Sequence, residues 1–158
     1  AFRVLNVLTF GTYVHREKHT DDMEDRLDIA RRLQYHTKFL QQIAKSTAEI
    51  DITWNLEDVR RSLHFIAEHG SEAGSTAASV TAKIFARTKD DETRRACLDS
   101  LSRIHSSKAK SELLRISQNN DVDKALRELA SEYLRGVTPK VQPIAATVGG
   151  SPVLVGQP

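Results

Sequence analysis

The chain has 158 residues, 39% hydrophobic and 28% charged, enough for one globular domain with a sizeable core. Its 23 basic and 21 acidic side chains leave a net charge of +2, and the signs interleave, which excludes a polybasic arm or an acidic tail. Nine aromatic side chains are too few for an aromatic core, and a single cysteine, Cys97, excludes an internal disulfide framework.

The opening AFRVLNVLTF is apolar, yet too short to span a bilayer and without a small-residue cleavage pattern. Two readings stand for residues 1–19. Phe2, Leu5, Leu8 and Phe10 dock on the core, or the segment ends a membrane helix begun before Ala1, with His15, Arg16, Lys18 and His19 on its cytoplasmic side. Thr20-Asp21-Asp22 predicts a helix start, a hydroxyl cap followed by acids that suit the positive end of the dipole. The helix over 20–50 is expected to turn Met23, Leu27, Ala30, Leu33, Thr37, Leu40, Ala44 and Thr47 inward, with Phe39 and Ile43 widening the stripe.

Residues 51–55, DITWN, are β-rich and read as a connection anchored by Trp54. Asn55 is expected to cap a helix over 56–69, closed by Gly70 as a C-terminal glycine. After a turn at 71–75, Ala77, Ala78, Val80, Ile84 and Phe85 form the inner face of the next helix. Asp90 and Asp91 start another, with Leu98, Leu101 and Ile104 inward and Cys97 as a small buried hydrophobe. Ser106 and Ser107 cap a helix carrying Leu113, Leu114 and Ile116. Asn119-Asn120-Asp121 forms a turn and cap before Ala125, Leu126, Leu129, Ala130, Tyr133 and Leu134, and Gly136 stops that last helix. No central stretch alternates with period two, so the body over 20–135 is all-α. Residues 136–158 hold all four prolines, four glycines and one charge, Lys140, which predicts an extended tail. Its valines, with Ile144 and Leu154, leave open that it lies in a groove of its own or a neighbouring subunit.

EDVRRSL at 57–63 echoes in DETRRAC at 91–97, pairing Arg60/Arg61 with Arg94/Arg95 at a period of about 34 residues, the mark of stacked helical hairpins. The stretch DDETRRACLDSLSRIHSSKAKSELLRI resembles a bacterial HEAT-like repeat, of the kind also found in phycobilisome lyases. Asp90 opens its first helix, Arg94/Arg95 are its polar pair, Ala96, Leu98, Leu101 and Ile104 its small and aliphatic positions, and Leu113/Leu114 its double leucine. Asp121 would open the next unit, without a double arginine. The resemblance covers about half the chain, strongly over one unit, and implies an α-solenoid-like stack of antiparallel helix pairs. The long N-terminal helix would cap one end and the extended tail the other.

Chemistry finds little footing. His15 and His19 are four apart, but the intervening glutamate is not in the HExxH place and no third ligand is apparent; His64 and His69 diverge on a helix. The serines sit at caps and turns, and there is no nucleophile elbow or phosphate loop. No catalytic residue, metal or cofactor is expected. The expected function is a non-catalytic scaffold for a protein partner in the cytoplasm, with Arg60, Arg61, Arg94 and Arg95 as polar contacts and Trp54 as an aromatic anchor. The rival is phosphate-backbone binding along a ridge of those arginines, extended by Lys108, Lys110 and Arg115. Glu57/Asp58 and Asp91/Glu92, within a turn of the arginines, disfavour nucleic acid. By the resemblance alone, a lyase or chaperone of a tetrapyrrole-carrying protein is the third reading.

Overall fold

The computed structural model describes the backbone of residues 10–136 and the side chains of residues 25–136. Its regular structure is helical throughout: α1 (Phe10–Lys45), α2 (Ile50–Thr53), α3 (Leu56–Glu68), α4 (Ser75–Arg87), α5 (Asp91–Arg103), α6 (Ser107–Gln118) and α7 (Lys124–Leu134). Segments 1–9 and 137–158, where the apolar lead and the extended tail were expected, lie outside the described residues. Among the described residues no helix is long and apolar enough to cross a membrane.

Short-range chemistry sets three of the helix starts. Asn55 Oδ1 accepts from the Glu57 N–H at 2.9 Å, Asp90 Oδ2 from Thr93 at 2.9 Å, and Ser106 Oγ from Lys108 at 3.1 Å. Each such cap contributes about 1 kcal/mol by satisfying an N–H that the helix cannot. At the far end, Gly136 adopts φ +74°, the left-handed conformation that stops α7.

Several expectations are corrected. The first long helix does not begin at Thr20; Thr20-Asp21-Asp22 lies within α1. A cap acts only where the backbone turns, and inside a growing helix these residues each cost well under about 1 kcal/mol. The inner face of α1 is also rotated: Ile29, Leu33, His36, Leu40 and Ile43 face the body, while Leu27 is 55% exposed and Thr47 is exposed too. Two overlapping three-and-four patterns share Leu33 and Leu40, and packing on α3 and α4 chooses between them. Asp51-Ile52-Thr53 is helical and not a plain connection, because Ile50 is buried and the Asp51 carboxylate accepts from Thr88 Oγ1 and the Lys89 N–H at 2.6 and 2.8 Å.

Gly70 is not a left-handed terminator, since Gly136 is the one described glycine with positive φ. A Cβ at Gly70 would instead meet the Arg103 carbonyl, and the Gly70 carbonyl accepts from the His105 N–H at 3.0 Å. The residue is small because the backbone after α5 passes against it. Asp121 does not cap α7; its N–H is held by Asn119 Oδ1 at 3.0 Å, and the cap position is Asp123. Leu114 and Ala125, expected inside, are exposed.

Helix α3 packs on α5 and α5 on α7, while α4 packs on α6. The long helix α1 lies against both α3 and α4, and α4 on α5, α5 on α6 and α6 on α7 complete the body. The consecutive helices α3 and α4 meet α1 and α5 more than each other. The interior is aliphatic as expected, with Leu40, Ile43, Leu63, Ile66, Ile84, Leu98, Leu101, Ile116 and Leu126 fully buried around Cys97. Each contributes roughly 1.5–3 kcal/mol by leaving water.

Candidate partner-binding surface

The period read in the sequence is also a period of burial. Val59, Thr93 and Leu126 take one inward place in α3, α5 and α7, and Leu63, Cys97 and Ala130 take the next. In the same register stand Arg60, Arg94 and Arg127. Arg60 Nη1 donates to Asp90 Oδ2 at 3.1 Å and to Thr93 Oγ1 at 3.2 Å, so an arginine of α3 grips the cap of α5. Arg94, at the like place in α5, donates from Nε to the Thr88 carbonyl at 2.8 Å, while Nη1 stands 3.7 Å from Asp123 Oδ2, just before α7. Arg127 donates to Asn120 Oδ1 at 3.2 Å, and its buried Nε meets no partner among the described residues. The Thr93 hydroxyl, then its N–H and the Arg60 charge, hold the Asp90 carboxyl below its ordinary pKa against the opposing effect of burial.

The two arginine pairs are therefore divided by role. Arg60 and Arg94 are 27% and 24% exposed and reach across to the start of the next helix but one. Arg61 and Arg95, at 68% and 56%, point to solvent and pair only with acids of their own helices, Arg61 with Asp58 at 3.2 Å and Arg95 with Asp91 at 2.9 Å. A cleft of about 400 Å³ between α3 and α5 brings Arg60 and Arg61 together with Glu57, Glu92 and Asp99, so its charge is mixed. Trp54 belongs to the corner after α2, half-buried and edge-on to Phe39 at 6.0 Å between ring centres. Its indole N–H is buried without an acceptor among the described residues.

A second cleft, not anticipated from the sequence, lies where the end of α1, the first turns of α4 and the start of α6 meet. Its volume is about 380 Å³, and its walls carry Lys45, Lys83 and Lys108, one from each helix, with Ser75, Thr76 and Ser79 of α4. The only hint in the sequence was the spacing of 75, 76, 79 and 83, which shares one helix face. Beside it, Arg87 closes the end of α1, donating to the carbonyls of Ile43 and Ala44 at 2.8 Å each and of Ala48 at 2.7 Å.

The remaining titratable groups have structural surroundings. Burial pushes the Cys97 thiol far above its ordinary pKa, which keeps it protonated and a poor nucleophile. His36 sits beside the Ser62 hydroxyl at 2.9 Å and against the Phe65 ring at 4.5 Å; burial, then the Arg32 charge, lower its pKa. Burial would raise Glu112, but Arg115 and Lys108, at 2.7 and 3.0 Å, outweigh it and hold the carboxyl below its ordinary value. Among the described residues no three His, Cys, Asp or Glu side chains gather as a metal site. The side chains of His15 and His19 are outside those described. No protein-family model matches the chain, and no curated protein or solved structure matches it.

Proposed function

We propose that this chain is a non-catalytic helical-repeat scaffold of the cytoplasm that offers a surface to a protein partner. The architecture proposed is a HEAT-like, α-solenoid-like stack of antiparallel pairs, with α3/α4 a loose unit, α5/α6 the one that fits the repeat pattern of the sequence best and α7 opening a third. The observation that carries this reading is the repeated arginine rung: Arg60 to Asp90 and Arg94 to Asp123 join like positions of successive units. Units tied in this way build a continuous surface whose interior no single hairpin can bury alone. Packing of each helix on the next but one, α3 on α5 and α4 on α6, supports the same arrangement.

Within this reading the contact residues are Arg61 and Arg95, exposed at like places on α3 and α5, and Trp54 is an aromatic contact where its ring meets solvent. Arg60 and Arg94 act by holding the units in register. The test is retention of cellular proteins by the wild-type chain against Arg61→Glu/Arg95→Glu, both checked for helical content. The expected outcome is a protein retained by the wild type and released by the folded double variant. Equal retention rejects the arginine assignment, and retention of nothing above background rejects the scaffold.

A further inference from the structure

We propose that the lysine-lined cleft between α1, α4 and α6 is a binding site for a phosphate monoester, carried by a phosphorylated residue of the protein partner. The identity of the carrier rests on the scaffold reading; the site itself does not.

In two other clefts the signs are matched, while a third, where α5, α6 and α7 meet, holds Lys110 with no carboxylate: the α3/α5 cleft sets Arg60 and Arg61 against Glu57, Glu92 and Asp99. The cleft along α6 and α7 sets Lys124, Arg127 and Arg135 against Glu128 and Glu132. The α1/α4/α6 cleft is the most unbalanced of these, for three lysines line it and no carboxylate does. Lys45 and Lys83 form no ion pair among the described residues, whereas Lys108 bonds Glu112 at 3.0 Å. That glutamate is also held by Arg115 through two hydrogen bonds of 2.9 and 2.7 Å, so it stays neutralised if Lys108 turns to another anion. Lys45 and Lys83, like charges facing one cleft with no carboxylate in its lining, cost free energy that an arriving dianion relieves.

The residue types then choose among anions. Arginine meets carboxylates with its planar fork, as Arg115 does at Glu112, and lysine pairs with them as a single charge, as Lys124 does with Glu128. Here the cations are all lysine, compact charges that approach a tetrahedral group from separate directions, and they come from three different helices. The hydroxyls of Ser75, Thr76 and Ser79 add neutral donors on one wall. A monoester near charge −2 with three acceptor oxygens matches this set better than a singly charged carboxylate or phosphodiester. The negative end of α1 would repel an anion, but Arg87 already occupies the carbonyls of Ile43, Ala44 and Ala48.

The experiment follows backbone amides of the labelled full chain by nuclear magnetic resonance at constant ionic strength. The probes are inorganic phosphate, phosphoserine, serine and a short single-stranded DNA. Saturable shifts centred on Ser75, Thr76, Ser79 and Lys83 are expected with phosphate and phosphoserine, and none with serine. In Lys45→Gln/Lys83→Gln, whose side chains are exposed and whose fold is checked by circular dichroism, the affinity falls roughly tenfold. Shifts that follow added chloride equally, or spread over every surface lysine, overturn the site. So does DNA saturating these amides more tightly than phosphoserine, which would mark a phosphodiester surface. No protein partner enters this assay, so its failure removes the phosphate site and leaves the Arg61/Arg95 retention test to decide the scaffold.

Discussion

The arginine rung can be weighed by separating its charge from the cap it rests on. Asp90 has two tasks, accepting from the Thr93 N–H at 2.9 Å and from Arg60 at 3.1 Å. Asp90→Asn keeps a good capping side chain and removes the charge, whereas Asp90→Ala removes both. The pair is about one-third exposed, with side-chain exposures of 27% and 33%, which places it between a solvent pair and a buried one. An exposed pair contributes about 0.2–1 kcal/mol and a hydrogen bond to a charged group about 1.5–3. Solvent screening brings the rung to about 1 kcal/mol, so Arg60→Ala is expected to cost about 1–2 kcal/mol once its lost packing is included. Asp90→Asn is expected to cost about 1 kcal/mol, and Asp90→Ala about 2. Urea unfolding followed by circular dichroism reads these as midpoint shifts of roughly half to one molar at unchanged slope. The double variant Arg60→Ala/Asp90→Asn should show coupling of about 0.5–1.5 kcal/mol. Arg61→Ala, its solvent-facing neighbour, should stay within about 0.5 kcal/mol of the wild type. Coupling indistinguishable from zero, or equal costs for Arg60 and Arg61, would refute the division of the arginines into rungs and free contacts.

Gly70→Ala forces a Cβ into the Arg103 carbonyl and should cost about 2–4 kcal/mol in the same unfolding assay, while Gly74→Ala, whose Cβ meets nothing, should cost under about 1; equal costs would mean that α5 does not press on Gly70. The Asp90 and Glu112 carboxyls both titrate below their ordinary values, so the folded state binds fewer protons than the unfolded chain in the acid range. Their contribution is complete above the carboxylate range, roughly pH 5, and is lost as the pH falls through the folded pKa values. Stability measured from pH 6 to 3 should therefore fall, and Asp90→Asn/Glu112→Gln should flatten the slope; an unchanged slope counts against both ion pairs.

Reversing all four arginines together would not isolate a binding surface. Arg60 and Arg94 reach to the starts of α5 and α7, whereas Arg61 and Arg95 pair within their own helices. Sequence spacing alone equates Arg60 with Arg61 because adjacent residues in a helix differ by about 100° in direction, and nothing local says which direction meets the next unit. The same holds for α1, where Leu27 and Ile29 belong to competing stripes until α3 and α4 select one.

By itself the sequence determined the helical course of residues 56–134, the caps at Asn55, Asp90 and Ser106, the stop at Gly136 and the roughly 34-residue recurrence. Those depend on hydrogen bonds and apolar steps that reach no further than about four residues along the chain. Only the tertiary structure decided the inward face of α1, the close passage at Gly70, the rungs and the lysine cleft. Each of these joins groups far apart in the chain, 26 residues for His36 with Ser62, 30 for Arg60 with Asp90 and 44 for Arg87 with Ile43, and such meetings exist only once helices have packed.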